Sequence, residues 1–254
     1  LINLELTIIR QTNRFLPISI ALVLVACSNH TGAEQKAHTT LPESTTIVSP
    51  DYKLIIPKKQ EGLLILFPCF PCNAENTSTE FDIVDIAIAN NITVLLMNFN
   101  QHLWLLETEK NELEKTITAA IIQNSIDTHN TYIGGFSSGG NVSLLFTDHL
   151  ISIGSIIQPK GVFIVDAPID LMALYETAHK TIKRNFSEVA VQEANWIVET
   201  FDSEFGAGDT ALINYHKKSP YLSSTNATHN LSNLSGVKIR LYSEPDTLWW
   251  KVNR

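Results

Sequence analysis

Lysine and arginine form no cluster in this chain, and its 18 basic residues are outnumbered by 26 acidic ones, giving a formal net charge of −8. A phosphate backbone needs a concentrated basic face, so the balance argues against a nucleic-acid partner. Neither G-x-G-x-x-G nor a Walker A run occurs, which leaves a nucleotide without support; no cofactor and no metal is expected. There is no internal repeat. The apolar run at residues 15–27 is too short to cross a bilayer as a helix. Cysteine is scarce at three residues and glycine numbers 11, yet four glycines flank Ser137 and Ser138. What is present is ample apolar material: 44% of 254 residues suits one sizeable core and is too little for two comfortable domains.

Residues 1–26 have the layout of a signal peptide, with Arg10 and Arg14 ahead of the apolar run "FLPISIALVLVAC". The run ends in Leu24-Val25-Ala26-Cys27, which resembles the lipobox of bacterial lipoproteins. That resemblance implies cleavage before Cys27, acylation of its thiol and amino group, and stable membrane anchoring through several acyl chains. The same resemblance implies the outer membrane, since Ser28 stands in place of aspartate. Residues 27–51 are polar, rich in Thr and Ser, and read as a tether.

From Tyr52 to Arg254 apolar strand-like runs alternate with longer amphipathic ones. Strands are expected at "GLLILF", "ITVLLMNF", "TYIGGF", "GVFIVDAP" and "GVKIRLY", with helices over 109–126 and 141–151 and one near Ser78 to Asn90. Such alternation implies an α/β fold, a mostly parallel sheet with helices on both faces, whose ligands bind at the carboxyl ends of the strands. Residues 169–219 are mostly helical in pattern.

The glycines around Ser137 now acquire a reason. Gly135-Phe136-Ser137-Ser138-Gly139 fits G-x-S-x-G between an expected strand and an expected helix. A serine on such a sharp turn needs side chains two residues to either side to vanish, so that strand and helix backbones can approach. Its hydroxyl then stands exposed as a nucleophile, and the N–H of Ser138 faces a developing oxyanion. A plain glycine-rich turn, perhaps for phosphate, is the alternative.

On these residues the chain resembles the α/β-hydrolase family from about Tyr52 to Asp246. The resemblance implies a serine hydrolase, esterase-like, acting on an acyl substrate. It also implies a helical cap at 169–219, in which Tyr175, Trp196 and Phe201 are candidates to line an acyl pocket. Pro68-Cys69 stand where many members have His-Gly, which makes the N–H of Phe70 the second oxyanion donor. Asp246, after the strand two positions past the elbow strand, matches the acid; Glu244 competes with it. Asp166 matches a less common location, with Asp170 nearby. The family's histidine follows the acid, and no residue up to Arg254 matches it, so the chain reads as a fragment lacking its C-terminal part. His102, His149, His179, His216 and His229 stand in the wrong order or in helices and loops.

Two other readings stand beside this one. A hydrolase fold can serve a non-catalytic binding lipoprotein. Cys69-Phe70-Pro71-Cys72 is also a C-x-x-C after a strand, as in thioredoxin-like oxidoreductases. Against redox chemistry, a polar loop is expected to separate Cys72 from the next helix; a structural disulfide or two free thiols is the bland expectation.

Overall fold

The computed structural model describes residues 43–99 and 102–243. Seven strands form one sheet in the order β1-β2-β4-β3-β5-β6-β7: β1 Ser44–Val48, β2 Tyr52–Pro57, β3 Gly62–Phe67, β4 Ile92–Met97, β5 Thr131–Phe136, β6 Pro159–Val165 and β7 Lys238–Tyr242. From β4 through β7 all neighbours run parallel, while β2 is antiparallel to both β4 and β1. Parallel neighbours need crossovers, and helices supply them. α1 Ala74–Glu80 and α2 Ile83–Ala89 connect β3 to β4; α3 Glu107–Gln123 and α4 Ser138–Ser152 lie on either side of β5 in the chain.

β3 sits at the centre, and all six of its residues are buried. Alternation divides them between two cores. Leu63, Ile65 and Phe67 join Leu95, Met97 and Ile133 beneath Ile117 of α3, Phe146 of α4 and the 3₁₀ segment His229–Gly236. Leu64 and Leu66 face the other way, with Val94, Leu96 and Phe136 against Val84 and Ile88 of α2. Between β6 and β7 the chain builds α5 Leu171–Arg184, α6 Glu188–Phe205 and α7 Gly208–Lys218. These three pack a third core of Phe201, Phe205 and Tyr215, which also takes in Leu103 and Trp104 from the loop after β4.

Three local readings change. The stretch read as tether is a strand from Ser44 to Val48, because its backbone pairs residue for residue with β2 from Ser44 opposite Pro57 to Val48 opposite Lys53. The helix expected near Ser78 begins at Ala74, since Asn73 and Asn76 cap each other's backbone N–H groups at 2.9 and 3.0 Å. The helix expected from Asn141 begins at Ser138. The segment 1–26, Cys27 and most of the tether lie outside the described residues.

α4 holds a titratable group against the core. His149 is 8% exposed and its Nε2 has no hydrogen-bond partner among the described residues. Burial, with help from the charge of Lys110, holds its imidazole below the ordinary value, against the opposing pull of Glu107, Glu114 and Asp148. The unfolded chain, with an ordinary imidazole near about 6.5, therefore binds the proton more readily. The neutral ring's stabilisation is complete above that value and is lost as pH falls below it. Urea unfolding of wild type should show its midpoint dropping on acidification through this range, and His149→Gln should show a shallower drop. Equal slopes would assign the acid sensitivity to other groups.

Candidate active site

β5 ends at Phe136 and α4 begins at Ser138, so one residue carries the whole change of direction. That residue, Ser137, has φ 51° and ψ −123°. A non-glycine residue is held there only when its surroundings over-determine it. The Ser137 N–H donates to the Val165 carbonyl at 2.8 Å, and the Ser137 carbonyl accepts from the Gly140 N–H at 2.9 Å. The flanking glycines make the rest possible. A Cβ on Gly135 would collide with the Gly139 carbonyl, and one on Gly139 with the carbonyl oxygens of Phe67 and Pro68. The first turn of α4 thus rests directly on the backbone at the end of β3. Ser137 is half-buried, and its Oγ has no hydrogen-bond partner among the described residues.

The first N–H groups of a helix have no partner within it, and their dipole favours negative charge. Ser138, 3% exposed, opens α4 and brings such an N–H beside Ser137. The loop that leaves β3 passes the same spot, because Phe67 and Pro68 touch Gly139. This loop is a closed turn. A disulfide joins Cys69 to Cys72, the Cys72 N–H donates to the Cys69 carbonyl at 2.7 Å, and the Phe70–Pro71 bond is cis. The Phe70 ring stacks on Trp196 of α6, with centroids 4.9 Å apart and planes 15° apart. The expected polar spacer after Cys72 is absent, since α1 starts at Ala74. Both sulfurs nonetheless precede the Asn73 cap and are bonded to each other, so neither occupies the helical first turn that lowers a thiol's pKa.

Of the carboxylates, Asp166 follows β6 directly, with φ 48° and its N–H donating to Tyr242 at 2.9 Å. It stands one residue past the Val165 carbonyl that holds Ser137. Asp170 is committed elsewhere: it caps α5 by accepting from Ala173 N–H at 3.0 Å and accepts from Ser223 N–H at 2.8 Å. Asp246 and Glu244 lie outside the described residues. No described histidine hydrogen-bonds Ser137. His149 faces the core on α4, His179 packs edge-on to Tyr175, and His216 lies 5.7 Å from His229 ring to ring. His102 is better held than its sequence neighbourhood suggested. Its Nε2 meets Glu109 Oε2 at 2.9 Å, with the side chains only 19% and 11% exposed, and its ring stacks on Trp104. Those two partners, separated by a loop rather than by a helical interval, leave no periodic signal in the sequence.

The cap residues also separate. Phe201 is fully buried in the cap's own core and Tyr175 donates to Asp202 at 2.6 Å, which raises its phenol above the ordinary range. Trp196 touches the loop beside Ser137 through its stack on Phe70. An open groove at the opposite end of the sheet, lined by Tyr132, Ile156, Lys160 and Lys238, lies at the amino ends of the strands. Open α/β sheets bind at the other end.

A strand-elbow-helix at the carboxyl end of a β1-β2-β4-β3-β5-β6-β7 sheet with β2 reversed decides the architecture. The chain has the α/β-hydrolase fold. Solved structures agree. Carboxyl esterase 2 from the fungus Tuber melanosporum is 13% identical, with 82% of this chain and 78% of that one covered at a TM-score of 0.50. An esterase from Rhizomucor miehei is 16% identical over 83% and 76%, also at 0.50. Mycobacterium tuberculosis MPT51 is 11% identical over 79% and 73%, at 0.50. No family model matches the sequence, and no curated protein matches it.

In this hydrolase fold one residue fastens the loops around the elbow. Asn141, fully buried in the first turn of α4, donates through Nδ2 to the Leu103 carbonyl at 3.0 Å and the Pro168 carbonyl at 2.9 Å. Asn141→Ala leaves both carbonyls without that donor. At about 1–3 kcal/mol for a buried polar group left unpaired, the variant should lose roughly 2–4 kcal/mol in urea unfolding. A loss below about 0.5 kcal/mol, the scale of an indifferent surface change, would show that the two loops are held by something else.

Proposed function

We propose that this chain is a serine hydrolase of the esterase kind, held at a bacterial membrane, most naturally the outer one, by lipid on Cys27. The observation that carries the hydrolase reading is the backbone of Ser137: a positive φ between strand and helix, with no room for a Cβ at Gly135 or Gly139. That conformation costs on the order of 1–3 kcal/mol. Packing alone gives no reason to put serine rather than glycine there, whereas nucleophilic attack does.

In this reading Ser137 Oγ attacks the carbonyl carbon of an ester while an imidazole takes its proton. The tetrahedral oxyanion sits between the N–H groups of Ser138 and Phe70. Collapse expels the alcohol, and water releases the acid from the acyl-enzyme. Asp246 is the preferred partner for the imidazole, with Glu244 and Asp166 as alternatives. The esterases among the structural neighbours support an ester as substrate class. The Cys69–Cys72 pair holds the oxyanion loop in shape and takes no part as a redox couple.

A fluorophosphonate probe tests the nucleophile in the folded full-length protein. Ser137→Ala should abolish labelling, while Ser138→Ala, which keeps its backbone N–H, should retain much of it. Ester turnover should fall by several orders of magnitude in Ser137→Ala, on the scale of about 10⁶ for loss of such a nucleophile. Labelling that survives the substitution would leave a binding lipoprotein on a hydrolase fold as the better description. The anchor has its own test: metabolic labelling with a palmitate analogue should mark wild type and miss Cys27→Ser, and equal labelling of both would sink the lipobox reading.

A further inference from the structure

The chain that comes from Cys27 joins the fold at the end of the sheet opposite the elbow. β1 is antiparallel to β2 and β2 to β4, so β1 points the same way as β4, and Ser44, opposite Pro57, stands at the amino ends of the parallel strands. The open groove lies there too. Tyr132 and Ile156 line it and are exposed, and Ile153, the C-cap of α4 just upstream, is exposed as well. Exposed Ile122, in the last turn of α3, comes to the same end, because a crossover helix runs back against the strands it connects. A single exposed apolar side chain needs no explanation, whereas several at one end beside polar groups mark a contact surface.

The charges at this end suit an anionic surface. Glu43 pairs with Lys58, Glu61 with Lys59, and Asp127 with His129 at 2.8 Å. The two lysines of the groove meet no carboxylate: Lys160 donates to the Asn130 side-chain oxygen at 2.6 Å, and Lys238 makes no hydrogen bond or ion pair with any described residue. Among the described residues no aspartate or glutamate lines the groove, although the chain's net charge is −8. Lysine stems can lie along apolar surface while their ammonium groups reach headgroup phosphates. Apolar side chains with basic neighbours are the combination that holds a protein at a lipid interface.

We propose that the amino end of the sheet, through Tyr132, Ile153, Ile156, Lys160 and Lys238, rests on the anionic headgroups of the bilayer that holds the Cys27 lipid, with the Ser137 elbow opening away from it. This orientation rests on reading Cys27 as the anchor. β5, six residues long, then sets the elbow about 20 Å from the groove end.

Full-length lipidated protein in vesicles of phosphatidylethanolamine and phosphatidylglycerol tests the contact, with a nitroxide attached to Ile156→Cys or, on the cap, to Val189→Cys. Cys69 and Cys72 are bonded to each other and Cys27 is acylated in this reading, so the introduced thiol takes the label. At position 156 the label should be reached by oxygen in preference to a water-soluble nickel chelate, and at position 189 the preference should reverse. A label at 156 as open to the chelate as the one at 189 overturns the contact. One shielded from both reagents already in detergent places a second copy or another part of the chain on the groove, which also overturns it.

Sedimentation with vesicles separates the surface from the anchor. The mature chain begun at Ser28 keeps every described residue and carries no lipid. At low salt it should bind vesicles containing phosphatidylglycerol better than vesicles of phosphatidylcholine alone, and Lys160→Glu together with Lys238→Glu should weaken that binding about ten-fold or more. Equal sedimentation with both vesicles, or of both proteins, overturns the surface. Binding by this chain, in a protein whose Cys27 takes no palmitate, removes the anchor and keeps the surface. Palmitate on Cys27 with position 156 in water does the reverse.

Discussion

Everything at the carboxyl end of this sheet depends on two missing methyl groups. With a Cβ at Gly139 the first turn of α4 would have to lift off Phe67 and Pro68, and with one at Gly135 the strand would have to part from the helix. Either movement would relax Ser137 out of its positive φ. The first turn of α4 lies against the loop that leaves β3 because three backbones, those of β3, β5 and α4, meet without side chains between them. The rest of the domain makes that contact durable. Buried β3 has a core on each of its faces, and Asn141 ties the loops that follow β4 and β6 to the same helical turn.

The cap adds a second kind of constraint, aromatic rather than backbone. Its core is built on Trp104, Phe201, Phe205 and Tyr215, with ring centroids 4.3 to 6.2 Å apart among neighbouring pairs. Tyr215 inside it has its phenol pushed upward, chiefly by burial. Contact between this core and the loops around the elbow includes the Trp196–Phe70 stack and the loop at Leu103 and Trp104.

The fold was legible where a single force decides. "TYIGGF" and "GLLILF" read as strands because burial on both sheet faces leaves uninterrupted apolar runs, and G-x-S-x-G read as an elbow because its steric demand is local. Legibility failed where pairing or capping outweighs hydrophobicity. Ser44–Val48 is mostly exposed and joins the sheet through its backbone pairing with β2 and through the partly buried Ile47, so no apolar alternation announces a strand. Ala74–Glu80 is polar after its first residue, and its start is set by two asparagines rather than by an apolar face. Side-chain roles were harder still. Tyr175, Trp196 and Phe201 share helical spacing, yet only contacts with other elements separate the core residue from the one that reaches the site. The His102–Glu109 pair crosses a loop.

The cap core has a consequence for how the molecule opens. Since its rings pack chiefly against one another and not against the sheet, the energy that holds α5, α6 and α7 is largely internal to them. Such a unit can detach as a body with its own protection against hydrogen exchange, below the free energy of global unfolding. Leu103 and Trp104 belong to that unit by packing, whereas the Leu103 carbonyl belongs to Asn141 and the elbow. The peptide between β4 and α3 is thus the seam along which the two cooperative units divide. Amide exchange there reports on both units at once, because Trp104 packs in the cap core while the Leu103 carbonyl is held by Asn141 beside the elbow.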